Sequence, residues 1–224
     1  MSELLNKITL ADCMDIMKDM PDNYIDLAIV DPPYGIGAGT KNFTREGTQS
    51  GKSKCVSGVG YKKSAFDSAV PKQTYFEALK RISKNQIIWG GNYFLYALDE
   101  TPCFIVWDKN NGNNFYADCE IAWTSFDTAI RKIKITWHGM IQQNMKNKEK
   151  RIHPTQKPVA LYRWILQNYA KEGQLILDTH SGSGSCAIAC HLEKFIFIAI
   201  EKDVDYHRDS VKRIEEIRSQ GVLF

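Results

Sequence analysis

Nothing in this chain of 224 residues points to a membrane, a metal or an oxidising compartment. No apolar run approaches the roughly 18 residues needed to cross a bilayer. The start, Met1-Ser2-Glu3-Leu4, lacks a basic stretch followed by an apolar one, so no secretory signal is expected. None of the six cysteines, Cys13, Cys55, Cys103, Cys119, Cys186 and Cys190, forms a C-x-x-C pair. Most lie in apolar segments, where a free thiol packs as a small hydrophobe. Cys186 and Cys190 are one helical turn apart with His191 beside them, which reads as a core helix and not a metal site. No metal is expected, and the cysteine usage indicates a reduced, cytoplasmic protein. The chain shows no internal repeat and no second core, so residues 1–224 are read as one domain.

The modest net charge of +3 conceals a pattern. Residues 36–65 carry Lys41, Arg45, Lys52, Lys54, Lys62 and Lys63 against one acid, Glu46. Residues 127–153 carry Arg131, Lys132, Lys134, Lys146, Lys148, Lys150 and Arg151 against Asp127 and Glu149. Each stretch has a net charge of +5, so the remainder is acidic. Two basic segments flanking one core suit contact with phosphates. The first is rich in Gly, Ser and Thr without period and is read as a mobile basic loop.

Hydrophobic periodicity places strands at 8–10, 25–30, 86–89, 104–107, 120–123, 175–177 and 195–200. Helices are expected near 13–20, 71–82, 92–98, 159–170, 185–192 and 206–218. Strands alternating with helices predict a doubly wound, mostly parallel sheet, here seven-stranded, with an antiparallel hairpin (103–126) at one edge.

Ligands of such sheets bind beyond the carboxyl ends of the strands. Asp12, Asp31, Asp178 and Glu201 all fall there. The run Asp178-Thr179-His180-Ser181-Gly182-Ser183-Gly184-Ser185-Cys186-Ala187 reads as strand, glycine loop and helix. Its G-x-G-x-x-A spacing, with Glu201 ending the next strand, admits NAD, FAD or an adenosine-bearing sulfonium. A carboxylate at Asp178 disfavours a pyrophosphate and suits an ammonium group, as in S-adenosylmethionine (AdoMet).

Strand 25–30 ends in Asp31-Pro32-Pro33-Tyr34. Neither proline has an N–H, so the Asp31 carboxylate and the Pro32 carbonyl form a rigid pair of acceptors. An exocyclic amino group on a base offers them two donors. Holding both hydrogens aims the nitrogen lone pair at an electrophilic methyl group. Tyr34 is placed to stack on a base flipped out of a duplex.

These motifs, in this order, resemble the beta class of DNA amino-methyltransferases. Asp31–Tyr34 matches its catalytic motif, Asp178-x-x-x-Gly182-Ser183-Gly184 its cofactor motif, and His153-Pro154-Thr155-Gln156-Lys157-Pro158 the segment just upstream. Leu10-Ala11-Asp12-Cys13-Met14 resembles its opening G-D-C. The resemblance spans nearly the whole chain. It implies a circularly permuted, Rossmann-like AdoMet-dependent fold in which strand 195–200 leads to strand 8–10.

The resemblance assigns Asp31, Pro32, Pro33 and Tyr34 to catalysis. It places Asp12, Asp31, Thr155, Lys157, Asp178, Gly182, Gly184, Ser185 and Glu201 around AdoMet. DNA contacts are expected from the basic loop (Lys41, Arg45, Lys52, Lys54, Lys62, Lys63) and from a short target-recognition segment, 127–153 (Arg131, Lys132, Lys134, Trp137, His138). Thr179-His180 replaces the family's usual Pro-Phe, which is expected to loosen the loop. Double-stranded DNA is the implied partner, with no membrane. The resemblance admits a homodimer. It also admits either a cognate restriction endonuclease, in a restriction-modification pair, or solitary action as in phage and orphan enzymes.

The implied reaction is direct, in-line methyl transfer to an exocyclic nitrogen, N6 of adenine in preference to N4 of cytosine because of the DPPY form. A cytosine C5 enzyme needs a Pro-Cys nucleophile, and Pro102-Cys103 instead begins an apolar strand. An RNA adenine methyltransferase accounts for almost the same features. A nicotinamide oxidoreductase leaves DPPY and the basic segments unexplained. A catalytically silent DNA-binding module leaves the acids unexplained.

Overall fold

Alternation along the strands decides the layering. In the computed structural model, Leu27 and Ile29 of β2 (Ile25–Val30) join one hydrophobic cluster while Ala28 and Val30 join another, and all four are buried. A strand buried on both faces needs helices on both faces. The structure describes residues 1–37, 67–112, 117–138 and 140–220. Helices α3 (Val159–Tyr169), α4 (Ser185–Leu192) and α5 (Val204–Ser219) cover one face through Leu161, Ile165, Ala187, Ile188 and Ile214. Helices α1 (Cys13–Met17) and α2 (Gln73–Ile82) cover the other through Met17, Tyr75, Phe76, Leu79 and Ile82.

The remaining strands are β1 (Lys7–Leu10), β3 (Ser83–Trp89), β4 (Phe104–Asp108), β5 (Cys119–Thr124), β6 (Arg131–Lys134), β9 (Leu175–Asp178) and β10 (Ile196–Glu201). With β2 they form one sheet in the order β1-β10-β9-β2-β3-β5-β4-β6. The last strand in sequence pairs in parallel with the first, from Lys7 with Ile198 to Leu10 with Glu201, which is the permuted connection expected. A separate hairpin pairs β7 (Trp137–His138) with β8 (Ile141–Gln142).

Several boundaries differ from the sequence reading. The sheet has eight strands, not seven, and β4–β5 is not its edge, because β6 from the basic segment adds in parallel to β4. Ile133 packs onto the core there and β6 covers the backbone edge of β4. Helix α1 stops at Met17, three residues early, where Arg81 takes the carbonyls of Met17 and Met20, each at 2.8 Å. Residues 92–98 hold one 3-10 turn, Gly91–Tyr93, started by left-handed Gly90. Helix α5 begins two residues earlier than expected because Asp203 caps the amides of Asp205 and Tyr206. At the entry end of the sheet, Asp26 bonds Lys84 and the Leu175 amide, tying β2, β3 and β9 together. No helix among the described residues is long and apolar enough to cross a membrane.

Ile176 lies in central β9 and is fully buried. Ile176→Ala should lower unfolding stability by about 2–5 kcal/mol. Urea unfolding should show this as a lower midpoint with an unchanged slope.

Candidate active site

The strand order sets four acids along one rim. Glu201 pairs in register with Leu10, two residues before Asp12; Asp178 pairs with Ala199; and Asp31 directly follows β2, the neighbour of β9. The structure therefore brings Asp12, Glu201, Asp178 and Asp31 to the carboxyl ends of four adjacent parallel strands.

Asp31 is held on both oxygens. Tyr34 donates to Oδ1 at 2.6 Å, and Lys157 Nζ lies 2.5 Å from Oδ2. Burial raises the Asp31 carboxyl above its usual range, and the Lys157 ammonium acts against that rise. Lys157 itself is buried and also pairs with Glu120 at 3.1 Å. Burial alone would raise Glu120, but the ammoniums of Lys157 and Lys109 outweigh it and hold this carboxyl at about 2. The sequence reading placed Lys157 at the cofactor and did not include Glu120. The available signal was an acid inside the otherwise apolar strand Cys119–Thr124.

Tyr34 is not free to stack on a base in this conformation. Its ring stacks on Tyr93, centroids 4.9 Å apart, and packs on the bare backbone of Gly90. A Cβ on Gly90 would lie 2.2 Å from Tyr34 Cε1, and Gly90 has a φ of +70°. Glycine is thus required behind the tyrosine.

The glycine loop is a turn with two left-handed residues, Gly182 at φ +50° and Gly184 at φ +72°. Glu201 Oε2 accepts the Gly182 amide at 2.7 Å, and its Oε1 accepts the Asp203 amide at 2.8 Å. Gly184 permits close packing, since a Cβ there would sit 3.2 Å from both Ile8 and Ser210. Ser185 turns away from the rim, bonding Ser183 and Arg213 while buried. Its hydroxyl accepts from Arg213, and the residue opens α4. Ser181 Oγ is buried with no partner among the described residues. The Asp178 carboxyl is pushed up by burial to about 8, despite a bond from the His180 amide.

The expected loosening at Thr179-His180 is offset by side-chain bonds. Thr179 Oγ1 meets the Tyr75 hydroxyl at 2.7 Å and His180 Nδ1 at 2.9 Å. Burial pushes the His180 imidazole down to about 4, so it is neutral at physiological pH.

The segment 153–158 spans the two motifs. His153 packs over Gly182, and burial, followed by the Lys157 charge, pushes its imidazole down to about 3. Thr155 is exposed and its hydroxyl bonds His153 Nδ1. Four residues beyond His153, Lys157 reaches Asp31. Asp12 caps α1 through the Met14 amide and pairs with exposed Lys202 at 2.7 Å.

Of the expected DNA contacts, Arg131, Lys132 and Lys134 are exposed along edge strand β6. His138 is half-buried in the small hairpin. Trp137 is a correction: it is buried, donates to the Gln156 carbonyl at 2.7 Å and lies under Arg151, so its role is to pack the 153–158 segment. Lys41, Arg45, Lys52, Lys54, Lys62 and Lys63 lie outside the described residues. The described residues on either side of that segment meet beside the Asp31–Tyr34 turn, where Asp67 accepts the Gly35 amide through its side chain and the Gly37 amide through its carbonyl. No cluster of potential metal ligands occurs among the described residues.

Comparison with known proteins agrees with this geometry. A family model described as DNA methylase matches residues 107–212. The Type II methyltransferase M.HinfI of Haemophilus influenzae is 24% identical over 97% of this chain and 70% of its own length. The Type II methyltransferase M2.MboI of Moraxella bovis is 25% identical over 92% and 86% respectively. Among solved structures, the M1.HpyAVI–SAM complex superposes with a TM-score of 0.57 at 21% identity, covering 92% of this chain and 98% of that one. The PvuII DNA methyltransferase, described as cytosine-N4-specific, gives 0.56 at 13% identity, covering 95% and 91%. The fold is that of these methyltransferases. In sequence the chain is similar to DNA methyltransferases of the N6/N4 type.

Gly90→Ala should displace Tyr34 from Asp31, lowering stability by about 1–3 kcal/mol. Methyl transfer to DNA should fall with it, and a thermal melt beside a transfer assay with labelled AdoMet checks both.

Proposed function

We propose that this protein transfers a methyl group from AdoMet to the exocyclic N6 of adenine in double-stranded DNA, acting on a base flipped out of the helix. The observation that carries the reading is Asp31, a carboxylate followed by two prolines, set beside Asp178 and the glycine loop on one rim. The DPPY form of the motif, typical of the adenine enzymes in this family, supports N6 over cytosine N4.

The rim fits AdoMet. Asp178 is a buried carboxyl pushed up to about 8, which a cation would return to its ionised form. The unpartnered Ser181 hydroxyl lies in the same loop. Asp178, Gly182 and Gly184 would hold the amino-acid end, Glu201 the ribose hydroxyls, and Asp12 the adenine side. Thr155, tied to His153 over Gly182, would flank the loop. When bound, AdoMet supplies an electrophilic methyl group on a sulfonium.

The chain's own residues then do three things. Asp31 and the Pro32 carbonyl accept both hydrogens of the target amino group, leaving its lone pair exposed. Asp31 takes the proton that the methylated nitrogen must lose. The segment 127–153, with Arg131, Lys132 and Lys134 on an exposed strand, binds DNA phosphates and serves target recognition, together with the basic loop 36–65.

The test is incubation with AdoMet and unmethylated duplex DNA, then digestion to nucleosides and mass spectrometry. Wild type should yield N6-methyladenine and Asp31→Ala none. N4-methylcytosine would overturn the choice of base, and methylation of RNA alone would overturn the choice of nucleic acid.

A second outcome follows from Asp178. Its carboxyl is protonated below about pH 8 in the free protein and must ionise against an ammonium group. AdoMet binding should therefore release protons near neutral pH and tighten as pH rises towards about 8. Calorimetry in two buffers of different ionisation enthalpy measures this, and Asp178→Asn should abolish the proton release.

A further inference from the structure

Four charges of alternating sign run inward from the surface to the catalytic turn. Lys109, at the end of β4, pairs with Glu120 Oε1 at 2.5 Å; Glu120 Oε2 lies 3.1 Å from Lys157; and Lys157 lies 2.5 Å from Asp31 Oδ2. The Lys157 side chain is only 3% exposed. Aromatic rings wall it in, with its Nζ 5.3 Å from the Trp89 centroid and 5.6 Å from that of Tyr34. A lysine whose only task was to neutralise Asp31 would not need a second carboxylate, and half-buried Glu120 supplies one.

An ammonium has three donors, and each carboxylate oxygen has about two acceptor sites. Tyr34 occupies one site on Asp31 Oδ1, and Lys157 one on Oδ2. Lys157 also donates to the Tyr34 oxygen at 3.1 Å, and its charge faces Glu120 Oε2 at 3.1 Å as an ion pair without a hydrogen bond. With Glu120 absent, the ammonium can turn fully onto Asp31 and take the site that an incoming amino group needs.

We propose that Glu120 and Lys157 are positioning residues for methyl transfer: Glu120 holds the Lys157 ammonium so that it orients Asp31 while leaving that carboxylate open to the target amino group. This rests on the reading of Asp31 as the group that receives the base. The titratable and charged groups facing Asp31 are Tyr34 from its own turn, Lys157 ahead of α3, Tyr162 on α3, Glu120 on β5, Asp178 at the end of β9 and Tyr75 on α2. Among these, the Glu120 charge raises the Asp31 carboxyl and the Lys157 charge lowers it. The two residues therefore move the ionisation of Asp31 in opposite directions, so a pH profile reads each of them separately.

The experiment measures turnover against pH for the full chain, with saturating AdoMet and unmethylated plasmid DNA. AdoMet affinity is measured alongside as the check on folding. Transfer needs ionised Asp31, so the rate falls on the acid side. Glu120→Gln should cut turnover at least about tenfold with AdoMet affinity unchanged, and should move the acid limb to lower pH by about half a unit or more. Lys157→Met should move the limb to higher pH. Glu120→Asp, which keeps the charge, should return the limb to its wild-type position. If Lys157→Met loses AdoMet binding through misfolding, the two Glu120 variants still decide the matter. Full turnover in Glu120→Gln, or a loss of turnover with an unmoved limb, would overturn the proposal. A wild-type protein that methylates nothing would instead overturn the reading on which it rests.

Discussion

The site depends on one buried ammonium. Lys157 lies between Asp31 and Glu120, and without it these two half-buried carboxylates would face each other with no shared cation. Removing one partner from such a buried arrangement typically costs about 3–5 kcal/mol, more than most core contacts supply. The same short segment lays His153 over Gly182, so a single stretch of six residues registers the Asp31–Tyr34 turn against the glycine loop. Trp137, pinned to the Gln156 carbonyl, sets that stretch from behind.

The rim acids differ in ionisation because their partners differ. Asp12 has the Lys202 ammonium and a helix-cap bond, which hold it below its usual range. Glu201 has two backbone amides but is still raised by burial. Asp178 accepts a single amide among the described residues and stands at about 8. The rim is thus graded, with its least compensated carboxyl beside the glycine loop, where a cation is best received.

Much of this was legible in the chain itself. Apolar runs ending in acids marked the parallel strands, and Gly182 and Gly184 marked the turn into α4, whose limits, Ser185–Leu192, match the expectation. The order of the motifs implied the pairing of β10 with β1. What escaped was set by tertiary contact. Glu120 looks like an ordinary polar position until β5 is placed between β3 and β4, opposite the lysine. Tyr34 reads as an exposed aromatic until Gly90 is seen to make room behind it. The strand Arg131–Lys134 is too short and too charged to be seen as a strand, and it forms because the edge of β4 offers it unpaired backbone. Helix ends moved where a distant side chain, such as Arg81, claimed their carbonyls.

Asp67 bears on how such a protein could diversify. By accepting the Gly35 and Gly37 amides, it holds the chain that leaves β2 against the chain that leads into α2. The cost of closing a flexible loop grows only slowly with its length, by about 0.6 kcal/mol per doubling. A change of chain length between two anchors held this close therefore adds little closure cost. Asp67 thus fixes the start of the turn that carries Asp31 and Tyr34 whatever the length of chain between the two anchors.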